Sequence, residues 1–532
     1  MITWATILTV LGSWLAGHTV IGLAGLGSQR RARTSLERHG TAMLVGAALA
    51  TTVIMHAVIA SGPLSALVAR LILGLLALPG LWFAFRPGAA PEPEALPDKI
   101  PKWGRLCLIP LFAFAAFAIF NAASMPMHIF DTVYHFSYKA KLIYHEGFGT
   151  DAWTDVDGIV GRIITHPNYS PGVAVLNALV GWIGGRFDED AFRALCSIFV
   201  IVPAIWIWVA LRPRSWSAAF CGTFMWLTLP ILYYTKLPNN GTWIGSIWAF
   251  LIGTPSAKVK FPEFTFGPAD GQILDGGADI AVAAFFFGAL WHLRRFLPSS
   301  RLVADRADLV CGGLLLGGAQ LAKNEGLALT GVILIAFGLS LLAGKLAGVK
   351  SESGSSGSGA PKRFHPLVGL VLTIVLGFVC SAGWLAIRGD IPSIDENYPE
   401  RLTVSNVLEN SSRWIGDEEE PGVLVGFWNC YTHVLRWNLL WPLFYVALFW
   451  SLSRPREFLR DPALFSVLTI LGGSLLYALI LLVTPWHLAV LFGTVIPGRL
   501  VVHLAPIVVF AIISLLWRDE PEDTPLVEPT AP

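Results

Sequence analysis

The sequence contains few charged residues for its length. Asp, Glu, Lys and Arg make up only 14% of the 532 residues, whereas about 25% is usual in soluble proteins. An ordinary cytosolic enzyme needs a more highly charged surface, and a disordered chain is poorer in apolar residues, so the composition excludes both classes. The formal net charge is only +1, so the chain has no strong positive field with which to bind a nucleic acid.

Cysteine is also scarce, with six residues and no CxxC pair. Five of the six fall inside apolar runs, and the sixth is Cys430. A disulfide framework or a thiolate metal site is typically marked by closely and regularly spaced cysteines. The sequence therefore argues against both.

Apolar residues, by contrast, make up 54% of the chain and are grouped in runs. Thirteen of these runs are long enough, or nearly so, to cross a hydrocarbon core of about 30 Å. They cover residues 2–26, 40–61, 64–85, 106–123, 194–211, 216–235, 277–293, 308–322, 326–344, 366–387, 437–452, 462–485 and 500–517. The sequence therefore predicts an all-α polytopic membrane protein with about 13 transmembrane helices.

The basic residues predict which side of the membrane each loop faces. Arg30, Arg31 and Arg33 directly follow the first run, and short loops rich in Lys and Arg stay in the cytoplasm. With alternation from that point, 22 of the 37 basic residues lie in inner connections. This predicts an extracytoplasmic N-terminus and a cytoplasmic C-terminus. The inner stretch 346–365 has the composition of a flexible linker, and 518–532 is an acidic cytoplasmic tail.

The longest loops fall on the outer side and carry short helical patterns. In the first, 124–193, apolar residues recur at helical spacing over 132–146, and a second helix is predicted to start at Ser170-Pro171 and run to Ile183. Both are too short to cross, so we expect interfacial helices lying on the outer surface. The outer loop 388–436 ends in a similar apolar stretch.

Two acidic sites in the first outer loop are candidates for chemistry. Asp131 stands where the chain leaves the membrane, and the low dielectric there can raise the pKa of a carboxyl toward that of a general base. The same residue is also a good N-cap for a helix that starts at Thr132. Asp155 and Asp157 are spaced to share a divalent cation, although a solvated turn explains them equally well.

Two further segments place charges at helix ends. Lys323 and Glu325 lie where one apolar run ends and the next begins, a costly position that is often functional. A structural ion pair, with Gly326 allowing a tight turn, is the alternative. Arg499 and His503 open the last run one helical turn apart; Arg499 is suited to phosphate oxygens or to lying at the lipid interface.

The remaining candidates are polar residues at the outer ends of apolar runs. Asp279 begins the seventh run and would either cap that helix or face a polar cavity. His166 and Tyr169 precede the second outer helix and would line a sugar pocket or form a rigid turn. His487 lies in the last outer segment.

Several stretches, in this order, carry a family resemblance. They are Asp131-Thr-Val-Tyr-His-Phe-Ser-Tyr-Lys-Ala, His166-Pro-Asn-Tyr-Ser-Pro-Gly, Phe192-Arg-Ala-Leu, Gly277-Ala-Asp279, Lys323-Asn-Glu-Gly326, and Trp486-His487 with Arg499 and His503. Together they resemble the GT-C superfamily of membrane glycosyltransferases, especially its protein O-mannosyltransferase and aminoarabinose-transferase branches. The resemblance makes 106–517 a catalytic module and 1–105 an N-terminal extension of three helices. The acidic neighbour usual beside the family's base is replaced here by Thr132.

The resemblance implies transfer of a sugar from a polyprenyl phosphate to an acceptor hydroxyl on the outer face of a plasma membrane, such as the bacterial inner membrane. Asp131 would be the catalytic base, and Lys323 and Arg499 would bind the donor phosphate. His166, Tyr169, Asp279, Glu325, His487 and His503 would line the sugar and acceptor pocket. The acceptor would be a glycan, a glycolipid or a protein. No cofactor besides the lipid-linked sugar is implied, and a divalent metal stays open through Asp155 and Asp157.

Two other interpretations compete with this one. Many spans and few charges also suit a lipid or solute flippase or transporter, but repeated halves and broken helices near the midplane are not evident in the sequence. The second is an O-antigen-type ligase, which uses an oligosaccharide linked to a lipid pyrophosphate. Loss of turnover on replacing Asp131 would separate a transferase from a flippase.

Overall fold

The computed structural model describes residues 2–25, 34–85, 100–124, 136–148, 168–233, 277–300, 304–348, 365–391, 398–417, 420–433, 437–492 and 496–517. These residues form α-helices, short 3-10 helices and turns, and none of them belongs to a β-strand. The helices are α1 (Trp4–Ala24), α2 (Ser35–Ser61), α3 (Ala66–Phe85), α4 (Lys102–Ser124), α5 (Tyr138–Glu146), α6 (Gly172–Gly184), α7 (Glu189–Cys196), α8 (Ile198–Leu211), α9 (Trp216–Leu227), α10 (Ala278–Leu293), α11 (Arg306–Ala322), α12 (Asn324–Leu346), α13 (Pro366–Arg388), α14 (Tyr398–Arg401), α15 (Val404–Glu409), α16 (Val423–Thr432), α17 (Leu440–Leu452), α18 (Pro455–Arg460), α19 (Ala463–Val483), α20 (Leu488–Phe492), α21 (Ile496–Val502) and α22 (Ala505–Leu516).

Eight helical segments are long and apolar enough to cross a membrane. They are α1, α2, α3, α4, Ala191–Leu211 (which joins α7 and α8), α12, α13 and α19. Helices α6, α17 and α22 are apolar but shorter. Each of the thirteen apolar runs contains a helix, and the prediction of an all-α chain with several candidate membrane-spanning helices is confirmed.

The peripheral helices expose large apolar side chains. Leu75 of α3, Phe112 of α4 and Ile335 of α12 are among them. Exposure of such side chains to water would forfeit roughly 1.5–3 kcal/mol each, whereas lipid tails are as apolar as the side chains themselves. These outward faces are therefore suited to lipid.

Helices α10, α11 and α22 form the centre of the bundle. All 16 residues of α10 are buried, and α22 is buried from Ala505 to Leu515. Helix α10 packs against α11 and α8, and α11 packs in turn against α13. Because a helix that is apolar on all sides must be enclosed, α10 and α22 are shielded by the other helices.

The first three helices pack closely on one another and on the rest of the chain. At Gly46 of α2, a Cβ would lie 1.6 Å from the Ser13 carbonyl oxygen of α1, so only glycine permits this approach. The Thr6 hydroxyl donates a hydrogen bond to the Ala191 carbonyl at 2.5 Å. The Arg70 guanidinium donates two to the Ile183 carbonyl, at 3.0 and 2.8 Å. These bonds join α1 and α3 to α7 and to the end of α6.

The helix predicted after Ser170-Pro171 is present as α6, but it does not lie on the surface. Residues 172–183 are all buried, and the helix packs against α1, α2, α3, α5 and α11. The N-cap residue is Pro171 and not Ser170. The predicted surface position is wrong because the sequence of α6 is apolar on every side except at Asn177, which marks an enclosed helix.

A buried ionic cluster lies at the C-terminal end of α10. Arg295 donates hydrogen bonds to Asp308 of α11, at 3.2 Å, and to Glu37 of α2. Asp308 also bonds His292 Nδ1 at 2.8 Å, and the Trp291 indole donates to Glu37 Oε1 at 2.8 Å. This Arg295 cluster joins the first turns of α2 and α11 to the last turn of α10.

Candidate functional site

Five of the residues predicted to form a site lie together, although the sequence separates them widely. Asp279 is in the first turn of α10, and Lys323 separates α11 from α12. Glu325 is in the first turn of α12, Arg499 is in α21, and His503 follows α21. We call these five residues the Asp279 cluster.

The Asp279 carboxylate is the centre of the cluster. Its Oδ1 accepts hydrogen bonds from Lys323 Nζ at 2.9 Å and His503 Nε2 at 3.0 Å. Its Oδ2 accepts one from Arg499 Nε at 2.7 Å. The N-cap residue of α10 is Gly277, and no side chain caps the helix. The alternative in which Asp279 serves as a helix cap is therefore wrong.

Lys323 reaches Asp279 because the backbone is extended at this residue. Its φ of −160° and ψ of 154° end α11 and start α12. Its Nζ also lies 2.9 Å from Glu325 Oε1, so the ion pair considered as a structural alternative does form. Gly326 allows the tight turn, since a Cβ there would lie 2.0 Å from the Ala319 carbonyl oxygen. Lys323 thus pairs locally with Glu325 and across the bundle with Asp279.

His503 extends the cluster into the bundle through Tyr477. The Tyr477 hydroxyl lies 2.6 Å from His503 Nδ1, and both residues are fully buried. A neutral imidazole that carries its proton on Nε2 satisfies both contacts, because it donates to Asp279 and accepts from the Tyr477 hydroxyl. His503 therefore links the Asp279 carboxylate to Tyr477 of α19.

The cluster places two cations and two carboxylates where little water reaches. The side chains of Arg499 and Glu325 are 12% and 16% exposed, and those of Lys323 and Asp279 less. Charges so far from water are tolerated only when paired. Glu325 Oε2 is buried and has no hydrogen-bond partner among the residues that the structure describes. Because buried polar atoms normally have a partner, a hydroxyl group bound here would complete its hydrogen bonding.

The segment before α6 contacts the same region. The Ser170 hydroxyl and backbone N–H both donate to Asn324 Oδ1, at 3.0 and 3.2 Å. The preceding carbonyl, that of Tyr169, accepts a hydrogen bond from Lys139 Nζ of α5 at 3.0 Å. Tyr169, a predicted pocket residue, is therefore adjacent in the chain to a residue that contacts the Lys323–Glu325 segment.

Lys139 is buried, although a lysine in a helix that the sequence predicts to lie on the outer surface is expected to face water. Its neighbours Phe136, Ala140 and Ile143 are buried as expected. Burial lowers the pKa of Lys139 to about 7, because the charged form loses its hydration. Near neutral pH this amine therefore exists in both protonation states.

Four predicted residues cannot be placed relative to the cluster. The proposed base Asp131, the pocket residue His166 and the metal candidates Asp155 and Asp157 all lie outside the described residues. Their assigned roles stay predictions.

His487 lies apart, in a pocket at the C-terminal end of α19. We call it the α19 pocket; it has a volume of about 470 Å³ and is lined by Arg413, Glu420, Trp486 and His487, among others. His487 Nδ1 is 3.8 Å from Glu420 Oε1. The structure therefore does not bring His487 to the Asp279 cluster.

Glu420 of the α19 pocket is held in its charged form. Burial raises the pKa of its carboxyl, but hydrogen bonds from the Arg413 side chain and the Leu488 N–H, together with the charge of Arg413, outweigh this effect. The resulting pKa lies below its usual value, so Glu420 is an anion at neutral pH.

Sequence reasoning missed Tyr477 and Arg413. A hydroxyl in the middle of an apolar run is a usable signal for Tyr477, because such a group needs a buried partner. Arg413 has no local signal, since its partners lie near residues 420 and 482–486, in other parts of the fold.

No known protein family, curated protein or solved structure matches this chain. The geometry of the described residues is therefore the structural basis for assigning a function.

Proposed function

We propose that this protein is an integral-membrane, inverting glycosyltransferase that moves a sugar from a polyprenyl-phosphate donor to an acceptor hydroxyl. The observation that carries the proposal is the Asp279 cluster. Two cations from different parts of the chain, Lys323 and Arg499, converge on one buried carboxylate. Such a pair is suited to a ligand with a concentrated negative charge, such as a phosphate.

The chemistry of the transfer explains why two fixed cations are useful. The acceptor oxygen attacks the anomeric carbon, the bond from that carbon to the phosphate oxygen breaks, and polyprenyl phosphate leaves with the bonding electrons. Negative charge therefore grows on the phosphate in the transition state. Cations held in place before the reaction stabilise this charge without reorganising. Asp279 and Glu325 hold Lys323 and Arg499 in position, and these two cations face the phosphate.

A single base completes this reaction. Asp131 takes the proton of the acceptor hydroxyl as the oxygen attacks, so one carboxylate suffices where a glycoside hydrolase needs two. The basis for this role is the resemblance of the 131–140 stretch. Glu325 Oε2, which has no partner among the described residues, accepts a hydrogen bond from a hydroxyl of the bound sugar.

The proposed topology places this chemistry outside the cytoplasm. All thirteen apolar runs cross the membrane, with the N-terminus outside and the C-terminus inside a plasma membrane such as the bacterial inner membrane. Asp279 and Lys323 then lie at the outer ends of α10 and α11. The Arg295 cluster lies at the inner ends of the same helices.

Turnover of the donor tests the proposal. Purified protein in nanodiscs would be given a panel of polyprenyl-phosphate sugars and candidate acceptors, with release of free polyprenyl phosphate as the readout. We expect release by the wild type and a loss of about 10²-fold or more in Lys323→Gln and Arg499→Gln, the size seen when one preorganised donor is removed. Arg454→Gln is the matched control, since Arg454 is more than half exposed and pairs only loosely with Glu457. No release from any donor would move the assignment to lipid or solute transport.

A further inference from the structure

The α19 pocket is separate from the Asp279 cluster and takes no part in the chemistry described above. Its volume is about 470 Å³, within the range of about 300–1,000 Å³ usual for small-molecule sites. It is formed by the 3-10 helix Ser411–Trp414, by α15 and by the residues that follow α19. In the proposed topology it opens on the outer side of the membrane.

Arg413 builds the pocket and is not available to a ligand. Its Nε and Nη2 donate to the two oxygens of Glu420, at 3.3 and 3.0 Å. Its Nη1 donates to the carbonyls of Leu482 and Thr484, at 3.2 and 2.7 Å, and Nη2 also donates to the Trp486 carbonyl at 2.7 Å. All five N–H groups of the guanidinium are therefore used, and its charge is balanced by Glu420. Arg413 therefore has no N–H group left to donate to a phosphate or another anion.

Besides Arg413 and Glu420, the pocket is lined by Arg401, by neutral polar groups and by an aromatic ring. Asn406 and Asn410 lie one helical turn apart, and each uses its amide nitrogen in a hydrogen bond to a backbone carbonyl. Neither side-chain oxygen has a hydrogen-bond partner among the described residues. Both residues line the pocket, so a ligand bound there can donate to these oxygens. The side chain of His487 is 53% exposed, and Trp486 is 47% exposed. A planar ring beside several neutral hydrogen-bonding groups matches a sugar, which has an apolar C–H face and a rim of hydroxyls.

We propose that the α19 pocket binds a carbohydrate, the part of a glycan acceptor next to the sugar that is modified. The link to an acceptor rests on the proposed glycosyltransferase function, whereas the binding of carbohydrate does not. A sugar ring stacks on Trp486 while its hydroxyls bond to Asn406, Asn410 and His487.

The position of the pocket relative to the Asp279 cluster fits this role. Tyr477, which contacts the cluster through His503, and Thr484, which lines the pocket, are seven residues apart on and just after α19. At 1.5 Å per residue, they are separated by about 10 Å along the helix. A glycan of more than one residue spans a separation of this order, so the acceptor that fits the proposal is an oligosaccharide or polysaccharide.

Direct binding tests the carbohydrate site. Saturation-transfer NMR on the full-length protein in nanodiscs would use four probes: maltose, mannobiose, arabinobiose and chitobiose. We expect at least one to bind, Trp486→Ala to weaken that binding at least tenfold, and Asn406→Ala with Asn410→Ala to weaken it further. Trp428→Ala is the matched control, because Trp428 is an exposed tryptophan of α16 outside the pocket. No binding by any probe, or equal binding by wild type and Trp486→Ala, would overturn the proposal.

Acceptor kinetics separates this inference from the proposed function. With a productive donor, we expect Trp486→Ala to raise the acceptor KM at least tenfold, while donor hydrolysis without acceptor stays at the wild-type rate. An unchanged acceptor KM would contradict the acceptor role even if transfer occurs. A wild type that binds disaccharides but turns over no donor would contradict the glycosyltransferase function and leave the carbohydrate site established.

Discussion

At the scale of single residues, Asp279 decides the geometry of the proposed site. It receives one hydrogen bond from each of Lys323, Arg499 and His503, which come from two stretches of the chain that lie far from Asp279 in the sequence. The sequence indicates each of these residues as polar groups at helix ends. It does not indicate that they meet, because that depends on how α10, α11 and α21 pack.

Removing the charge of Asp279 should destabilise the protein, because Lys323 then carries a buried charge without this partner. Asp279→Asn leaves two buried cations without their shared partner, and breaking a buried ion pair typically costs about 3–5 kcal/mol. Adding Lys323→Met should recover part of this loss. Thermal unfolding in detergent of the two single variants and the double variant measures the coupling. Additive effects would show that the two side chains do not interact.

Lys139 should make stability depend on pH in a defined window. Its pKa is about 7 in the folded protein, against 10.5 for an ordinary lysine. Between these values the unfolded chain binds more protons than the folded one, so the free energy of unfolding rises with pH. Below about pH 7 both states are protonated, and the full cost of burying the charge is present.

The test of the pH effect is Lys139→Met, which cannot ionise. We expect its unfolding midpoint to exceed that of the wild type most at pH 6 and least at pH 10. Lys345→Met provides the control, since Lys345 lies in the last turn of α12 and is exposed. A difference between Lys139→Met and wild type that does not change with pH would contradict the assignment.

At the scale of helices, the apolar pattern predicts most positions, and the contacts between helices decide the rest. Runs such as 40–61 and 366–387 are apolar enough to predict α2 and α13 directly. The burial of Lys139 and the enclosure of α6 were not predicted, because both depend on neighbours from other parts of the chain. The sequence predicts the five members of the Asp279 cluster as separate candidate residues. Of the residues that line the α19 pocket, it predicts only His487 as a candidate.

The turn between α11 and α12 should tolerate no side chain at Gly326. A Cβ there would lie 2.0 Å from the Ala319 carbonyl oxygen, so Gly326→Ala must shift the turn that carries Lys323 and Glu325. We expect a lower unfolding midpoint and lower donor turnover.

Gly331 is the matched control in the same helix. A Cβ at Gly331 meets nothing within 4 Å, and alanine is favoured over glycine inside a helix by up to about 1 kcal/mol. Gly331→Ala should therefore leave the unfolding midpoint unchanged or raise it. Equal effects of the two substitutions, measured by thermal unfolding, would contradict the steric explanation.

At the scale of the whole molecule, two buried ionic clusters lie at opposite ends of α10. His292 is thirteen positions after Asp279, which is about 20 Å along the helix axis. The Asp279 cluster links α10 to α11 and α21, and the Arg295 cluster links it to α2 and α11. Together they fix both ends of the central helix. Only the Asp279 cluster, at the outer end in the proposed topology, takes part in the proposed chemistry.

The proposed orientation predicts which exposed residues face the outside of the cell. Ser405 of α15 lies in the loop 388–436, and Ser453 follows α17; both are exposed. In intact cells, Ser405→Cys should react with a membrane-impermeant maleimide above the background of the native cysteines. Ser453→Cys should react only after the membrane is permeabilised. The reverse pattern would place the Asp279 cluster on the cytoplasmic side.

The measurement that tests the central claim most directly compares donor binding with donor turnover in wild type and Asp131→Asn. Protein in nanodiscs is given each polyprenyl-phosphate sugar, and bound donor and released polyprenyl phosphate are measured in the same samples. We predict that the variant binds the productive donor as the wild type does but no longer releases polyprenyl phosphate. Release at the wild-type rate by Asp131→Asn, or movement of intact donor across the bilayer without release, would contradict the account.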